Sequence, residues 1–226
     1  MSTLTASPIP EYLEALGFRP SGRADCVAVK QTSFEEYLRI DTEGRLAEWV
    51  DGETRVYMAK TLLHQSVLSF LHFILVGVTR RGSLGKVLSA GYAMQNVRGG
   101  SGREPDLVFV RSDHEQRLQN SHLVGHPDLV IEIVSQDSPQ RDYVEKFREY
   151  ESAGIPEYWV IDPRPGRRRA DFFVLRAGRY EASLPDGGGV YRTALLPGFW
   201  LRLNWLWDDS GDPTAALDEI LAGEPA

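Results

Sequence analysis

Leu63, Val67, Phe70, Leu71, Ile74, Leu75 and Val78 recur every three or four residues, the spacing of one helix face. A long helix is therefore predicted over residues 61–80, with Gly82 placed to end it. Tyr143, Phe147 and Tyr150 form a second stripe of this kind, so a helix is predicted over 139–153, stopped by Gly154 and Pro156. Ser33 followed three residues later by Glu36 is a capping-box pattern, which opens a short helix running to Arg39. Elsewhere the period falls to two. RLAEWV and ETRVYM alternate on either side of Asp51-Gly52, the turn pair that best marks a hairpin. Strands are also predicted at 86–97, 105–111 and 127–135 and in EYWVIDP at 157–163. A glycine-rich loop from Arg98 to Arg103 separates the first two of these.

The order strand, helix, strand around the 139–153 helix implies a crossover, hence a parallel pair with the helix packed on the sheet. Short strands with Gly and Pro turns over 170–203 predict a meander extending that sheet, and the tail has room for one short helix at 213–221. The expected fold is α/β: a central mixed sheet with the 61–80 helix on one face and the 139–153 helix on the other. Residues 1–30 read as an N-terminal extension, 31–207 as the domain and 208–226 as a C-terminal tail.

With 226 residues and 42% apolar composition, the chain can bury one sizeable core. A single cysteine, Cys26, rules out an intramolecular disulfide framework and a cysteine-rich zinc site, and suits a reducing compartment. The first ten residues lack the basic start and apolar stretch of a secretory signal. His64, Gln65, Ser66, Ser69 and His72 make the longest apolar segment too polar for a membrane span, so a soluble cytoplasmic protein is expected. The net charge of −7 argues against tight non-specific binding to polyanions. Basic residues are nonetheless clustered: Arg164, Arg167, Arg168 and Arg169 form one group, and Arg98 and Arg103 flank the glycine-rich loop. The first group reads either as a solvated turn or as a local positive strip.

One position is chemically out of place. Glu132 stands among Val and Ile in DLVIEIV, where an ionised side chain costs several kcal/mol unless it is paired or holds a cation. Asp106, in EPDLVFV, opens the other apolar strand. Neighbouring antiparallel strands lie about 4.8 Å apart, so these two carboxylates can share one hard cation, Mg²⁺ or Mn²⁺. Asp128 lies roughly 13 Å along the strand from Glu132 and reads as a strand-opening residue. Lys146, one position off the aromatic stripe, either brings its amine to the strand edge or pairs with Asp142 on the surface at i,i+4. Gly85-Lys86 lacks the rest of a phosphate loop, and no nucleophile-elbow serine is present.

LAEWVDGETRVYMAKTLLHQSV, EPDLVFV and above all PDLVIEIVSQDSPQRDYVEKFREYESAGIPEYWVIDP resemble the Uma2 group of restriction-endonuclease-like proteins, within the PD-(D/E)XK nuclease superfamily. The likeness runs from about Ser33 to Val174. It implies a restriction-endonuclease-like core in which Asp106 and Glu132 are metal ligands. The superfamily lysine usually sits two residues after the acidic one; Val134 stands there, and the resemblance implies that helix-borne Lys146 takes its place. It also draws Glu48 and His64 into the site, the first as a further ligand or base. Their alternatives are a solvating charge on an edge strand and a hydrogen-bonded histidine at the core margin. Tyr150 either orients Lys146 or packs.

The function expected is a metal-dependent endonuclease that hydrolyses DNA phosphodiester bonds, with a homodimer serving the two strands. The rival is a catalytically inactive nuclease-fold module that binds nucleic acid or protein. A metal-free carboxylate-pair hydrolase is a third reading. Trp200, Trp205 and Trp207 suggest an apolar cluster that covers a core or builds a subunit contact.

Overall fold

In the computed structural model the described residues are 9–23, 26–89, 91–95, 101–208 and 211–223. Helix α1 (Glu11–Ala15) leads into β1 (Arg19–Pro20), which pairs antiparallel with β2 (Cys26–Gln31). Ser33 and Glu36 form the expected reciprocal cap at the head of α2 (Phe34–Tyr37). The hairpin of β3 (Ala47–Val50) and β4 (Glu53–Tyr57) closes through Asp51 and Gly52. Both turn residues are left-handed, at φ 53° and 80°, the combination that matches strand twist in a two-residue turn.

Helix α3 (Leu62–Arg81) starts at Thr61, whose hydroxyl accepts from the His64 N–H, and ends at Gly82. There follow β5 (Gly85–Ser89), β6 (Ala93–Gln95), β7 (Ser101–Arg103), β8 (Leu107–Arg111), β9 (His122–Val124) and β10 (Leu129–Ile133). A π-helical stretch, Arg141–Lys146, runs into α4 (Phe147–Ala153), which ends on left-handed Gly154. The chain closes with β11 (Glu157–Asp162), β12 (Arg169–Arg176), β13 (Arg179–Ala182), β14 (Val190–Arg192), β15 (Trp200–Arg202) and α5 (Pro213–Ala222), the last matching the tail helix expected from sequence.

The architecture is α/β, with two sheets where the sequence suggested one. Seven strands run in the order β1-β2-β4-β3-β7-β6-β9 and six in the order β13-β12-β11-β10-β8-β5. The single strand expected at 86–97 is divided between them, because the chain leaves the extended conformation at Gly91, φ 93°. The end of the loop expected between Arg98 and Arg103 is strand β7; Arg98 itself lies outside the described residues. The predicted parallel pair is present as β10 and β11, with α4 as its crossover.

Alternation along β10 distributes the core. Leu129, Ile131 and Ile133 pack with Val67, Phe70, Leu71 and Ile74 of α3, whereas Val130 and Val134 pack with Tyr150 of α4. Helices therefore cover both faces of the six-stranded sheet, and Glu132, by the same period, faces α4. By length and composition α3 is long and apolar enough to cross a bilayer, despite the polar residues that argued otherwise. Its apolar stripe is spent on the sheet.

The C-terminal meander is also only partly as expected. Strands β12 and β13 extend the six-stranded sheet, while β14 and β15 form a separate hairpin. The reason is burial: Val190, Tyr191, Phe199, Trp200 and Leu201 join the α3 core cluster, with Trp205 and Trp207 packed against it. Glu157 at the start of β11 anchors this cover. It accepts from Tyr191 Oη at 2.5 Å, Thr193 Oγ1 at 2.5 Å and Trp159 Nε1 at 2.8 Å, and all four residues are buried. Glu157→Leu strands three buried donors, each costing about 1–3 kcal/mol. It should lower the urea unfolding midpoint far more than Tyr191→Phe, which removes one of the three bonds.

Candidate active site

Strands β8 and β10 pair antiparallel as Leu107↔Ile131, Val108↔Val130 and Phe109↔Leu129. Asp106, at a bend just before β8, and Glu132, one residue beyond the last of these pairs, meet at the ladder end, close enough for the Asp106 charge to raise the Glu132 carboxyl. The end of the ladder thus brings together two carboxylates that are 26 residues apart in sequence. The Ile133 N–H donates to Asp106 Oδ2 at 2.8 Å and fixes that carboxylate against β10.

Lys146 meets these carboxylates from above. Its Nζ donates to Glu132 Oε1 at 2.8 Å, lies 2.9 Å from Glu48 Oε1 and is 3.9 Å from Asp142 Oδ1. Tyr150 Oη also donates to Glu132 Oε1, at 2.8 Å. All five side chains are buried, so the surface-pair reading of Asp142 and Lys146 is overturned. The buried stripe of this helix is Asp142, Lys146 and Tyr150, four residues apart. Of the aromatic stripe read from sequence, Tyr150 belongs to this buried set, whereas Tyr143 and Phe147 lie on its flank, where Phe147 packs edge-on to Phe173 and against Tyr180. Tyr150 packs in the core and hydrogen-bonds Glu132, with Lys146 on the same oxygen.

Glu48 of β3 is fully buried, which excludes the solvating-charge reading. Its Oε2 accepts from Arg103 Nη1 at 2.8 Å, and Arg103 in turn makes a fork with Glu149 through Nε and Nη2. Arg103, which flanks the glycine-rich loop in sequence, is 1% exposed and consumed by this network. His64 is 1% exposed; its Nε2 lies 3.1 Å from Asp106 Oδ2. A carboxylate can only accept, so Nε2 carries the proton. The other ring nitrogen, Nδ1, is buried without a hydrogen-bond partner among the described residues. Lys60 Nζ stands 3.7 Å from Asp106 Oδ1.

Electrostatics separate these acids. Burial raises the Asp106 and Glu48 carboxyls, but their partners outweigh it: the Lys60 ammonium and the hydrogen bond from His64 for Asp106, Lys146 and Arg103 for Glu48, and both end well below the ordinary range. Burial wins at Glu132, where Lys146 opposes it and Asp106, Asp142 and Glu48 reinforce it, and the carboxyl is pushed up to about 7. Burial would depress the Lys146 amine; Glu132, Glu48 and Asp142 reverse this and keep it an ammonium. Burial and the Glu132 charge raise the Tyr150 phenol, which therefore stays a donor.

A cleft of about 420 Å³ opens beside Asp106, lined among others by Lys60, His64, Glu104, Tyr37 and Thr42. Glu132, Lys146 and Glu48 do not line it and lie behind the Asp106 wall. Among the described residues no group of three or more His, Cys, Asp or Glu is arranged around a common point for a cation. Two carboxylates that meet at the ladder end do fit Mg²⁺ or Mn²⁺, which take one or two carboxylates and complete their shell with water and phosphate oxygens. The donor set is all oxygen, and Glu132 Oε2 accepts no hydrogen bond among the described residues.

Sequence reasoning placed Asp106, Glu132, Lys146, Glu48 and His64 as candidates, and the fold gathers all five around the ladder end. It missed Lys60, Arg103 and Asp142 as neighbours of the cluster. Only Asp142 carried a usable signal, its four-residue spacing from Lys146. Asp128 holds the Arg111 N–H at 2.8 Å and His114 Nδ1 at 2.8 Å, the structural role expected of it.

No curated protein matches the chain. A crystal structure titled as a "putative nuclease belonging to DUF820" from Anabaena variabilis superposes with a TM-score of 0.63 at 16% identity, covering 76% of this chain and 96% of that one, so the two share a fold. The profile of the family described as "Putative restriction endonuclease" matches residues 34–204, which include every candidate residue above. The chain belongs to that family, Uma2.

Proposed function

We propose that the chain is a metal-dependent endonuclease acting on DNA phosphodiester bonds, with Asp106 and Glu132 as the ligands of Mg²⁺ or Mn²⁺. The supporting observation is the meeting of these carboxylates at the end of the β8–β10 ladder, with an ammonium 2.8 Å from the second. A bound divalent ion supplies a polarised phosphate and a water of lowered pKa. The protein's own groups do the rest. Lys146 offsets the charge that grows on the phosphate, and Tyr150 and Glu48 hold its partner carboxylate and its amine in place. His64 orients Asp106 through Nε2 and keeps Oδ2 occupied, leaving Oδ1 toward the cleft side, where Lys60 stands. Two copies working on a duplex in the cytoplasm complete this reading.

A second reading is favoured by one feature: Glu132 and Lys146 already satisfy each other behind the cleft wall. A nuclease scaffold that binds without cutting would keep that pair closed. Titration separates the two. On the nuclease reading, calorimetry shows Mg²⁺ or Mn²⁺ binding to the wild type and loss of at least tenfold in affinity for Asp106→Asn and Glu132→Gln, with plasmid cleavage lost in both. Folded wild-type protein that binds neither ion at pH 7.5 leaves the scaffold reading.

Lys146→Met should keep some metal binding yet reduce the cleavage rate by about 10²-fold or more, the scale of a lost electrostatic contact to the transition state. Equal single-turnover rates for Lys146→Met and wild type would remove the lysine from the chemistry.

The acid pair also sets a pH dependence. Glu132 and Glu104 are each raised from 4.5 to about 7, in both cases chiefly by burial. Between these limits the folded protein binds more protons than the unfolded chain, so stability falls as pH rises from about 4.5 through 7. Chemical denaturation in EDTA should show that decline. Added Mg²⁺ should offset it at pH 7.5 and have little effect at pH 5, where the carboxyl holds its proton.

A further inference from the structure

The hairpin loop between β11 and β12 carries four arginines in six residues, 164–169, and they divide into two pairs. Arg164 forks onto Asp162 through Nε and Nη2, both at 2.8 Å. Arg169 binds Asp171, with Nε 2.8 Å from Oδ1. These two brace the ends of the loop. Arg167 and Arg168 are exposed and have no acidic partner among the described residues. Arg80 and Arg81 at the end of α3 are likewise exposed without an acidic partner among the described residues, so what sets Arg167 and Arg168 apart is their place in the fold.

The backbone holds them at a cost. Arg168 lies at φ 40°, in the left-handed region that a side-chain-bearing residue enters with strain, two residues after Gly166 at φ 78°. The Arg167 and Arg168 N–H groups both point back to the Arg164 carbonyl, so the turn is tight and presents the two side chains outward. Gly at 168 would relieve the strain.

Topology sets this loop beside the candidate site. β10 and β11 are parallel, with Ile133 across from Ile161, so the loop after β11 emerges at the same sheet edge as the end of β10 and the Asp106–Glu132 pair. A second cavity, of about 320 Å³, lies under the loop, lined by Pro163, Pro165, Arg168, Trp207, Leu206 and Leu63. Leu63 is the neighbour of His64, which bonds Asp106 and lines the first cleft. The two hollows thus flank the first turn of α3. A helix with its side chains is about 10–12 Å across, which is about three steps of 3.4 Å along one DNA strand.

Resting on the nuclease reading above, we infer that the 163–168 loop is a second docking point for the DNA backbone, with Arg167 and Arg168 binding phosphates about three nucleotides from the scissile one. The planar forks of arginine suit phosphate oxygens, and Trp207 and Pro165 offer apolar surface to the sugar between them.

The test is equilibrium binding of a fluorescent DNA duplex in EDTA, where nothing is cut, as a function of salt. The variant is Arg167→Gln with Arg168→Asn, since Asn tolerates the left-handed backbone. Loss of two phosphate contacts should reduce the slope of log Kobs against log salt by about 1.8. From 50 to 200 mM salt the wild-type affinity should therefore fall about tenfold more than that of the variant. Identical slopes overturn the proposal. So does wild-type binding to anionic phospholipid vesicles with none to DNA, which would assign the loop to a membrane surface. Absence of duplex binding by the wild type overturns it as well. Plasmid cleavage in magnesium by the same preparations reports separately on the nuclease reading: a variant with unchanged slope that still cuts removes the loop and keeps the enzyme.

Discussion

A single ammonium group organises the interior of this molecule. Lys146 enters the space between the two sheets, and Glu132 from one and Glu48 from the other close on it at 2.8 and 2.9 Å. Without that cation two buried carboxylates would face each other across the interface, and removing one partner of a buried pair costs about 3–5 kcal/mol. The network continues outward through Arg103 to Glu149 and through Asp142 to Ser138. Charge pairing, as much as apolar packing, fixes how the seven-stranded sheet sits against the six-stranded one.

The position of these groups follows from ordinary ladder geometry. A proline at 105 ends the pairing before β8, and the next residue, Asp106, is the first side chain past the ladder. It can therefore turn its carboxylate to the Ile133 N–H, which is left over at the end of β10. The same ladder end holds Glu132. Two acids, one backbone donor, one histidine and two lysines converge because one strand pair stops there.

Much of this was legible in sequence, and the exceptions have physical causes. Period and capping located α3, the β3–β4 hairpin and the β10–α4–β11 crossover, since each rests on local spacing. An acid inside DLVIEIV announced Glu132 because burying a lone charge there is costly. The split of 86–97 between sheets was not legible, because Gly91 carries the change and glycine fits either conformation. The fate of Arg103 was equally hidden: an arginine beside glycines looks solvated until its two acidic partners, from β3 and α4, are brought to it. The fate of β14 and β15 depended on which face would bury their aromatics. Lys146 was ambiguous because its spacing from Asp142 fits an exposed pair as well as a buried one.

Placing the amine on a helix rather than on the strand changes what controls it. A strand-borne lysine is located by backbone pairing. Here the amine's coordinates are inherited from the seating of α4, and that seating rests on Phe147 wedged between Phe173 and Tyr180 of β12 and β13. Those rings belong to a peripheral part of the sheet, yet a change of volume among them would tilt the helix and carry the ammonium with it. Chain evolution can thus tune the charge at the centre by repacking hydrocarbon at the margin, with every acidic residue left in place.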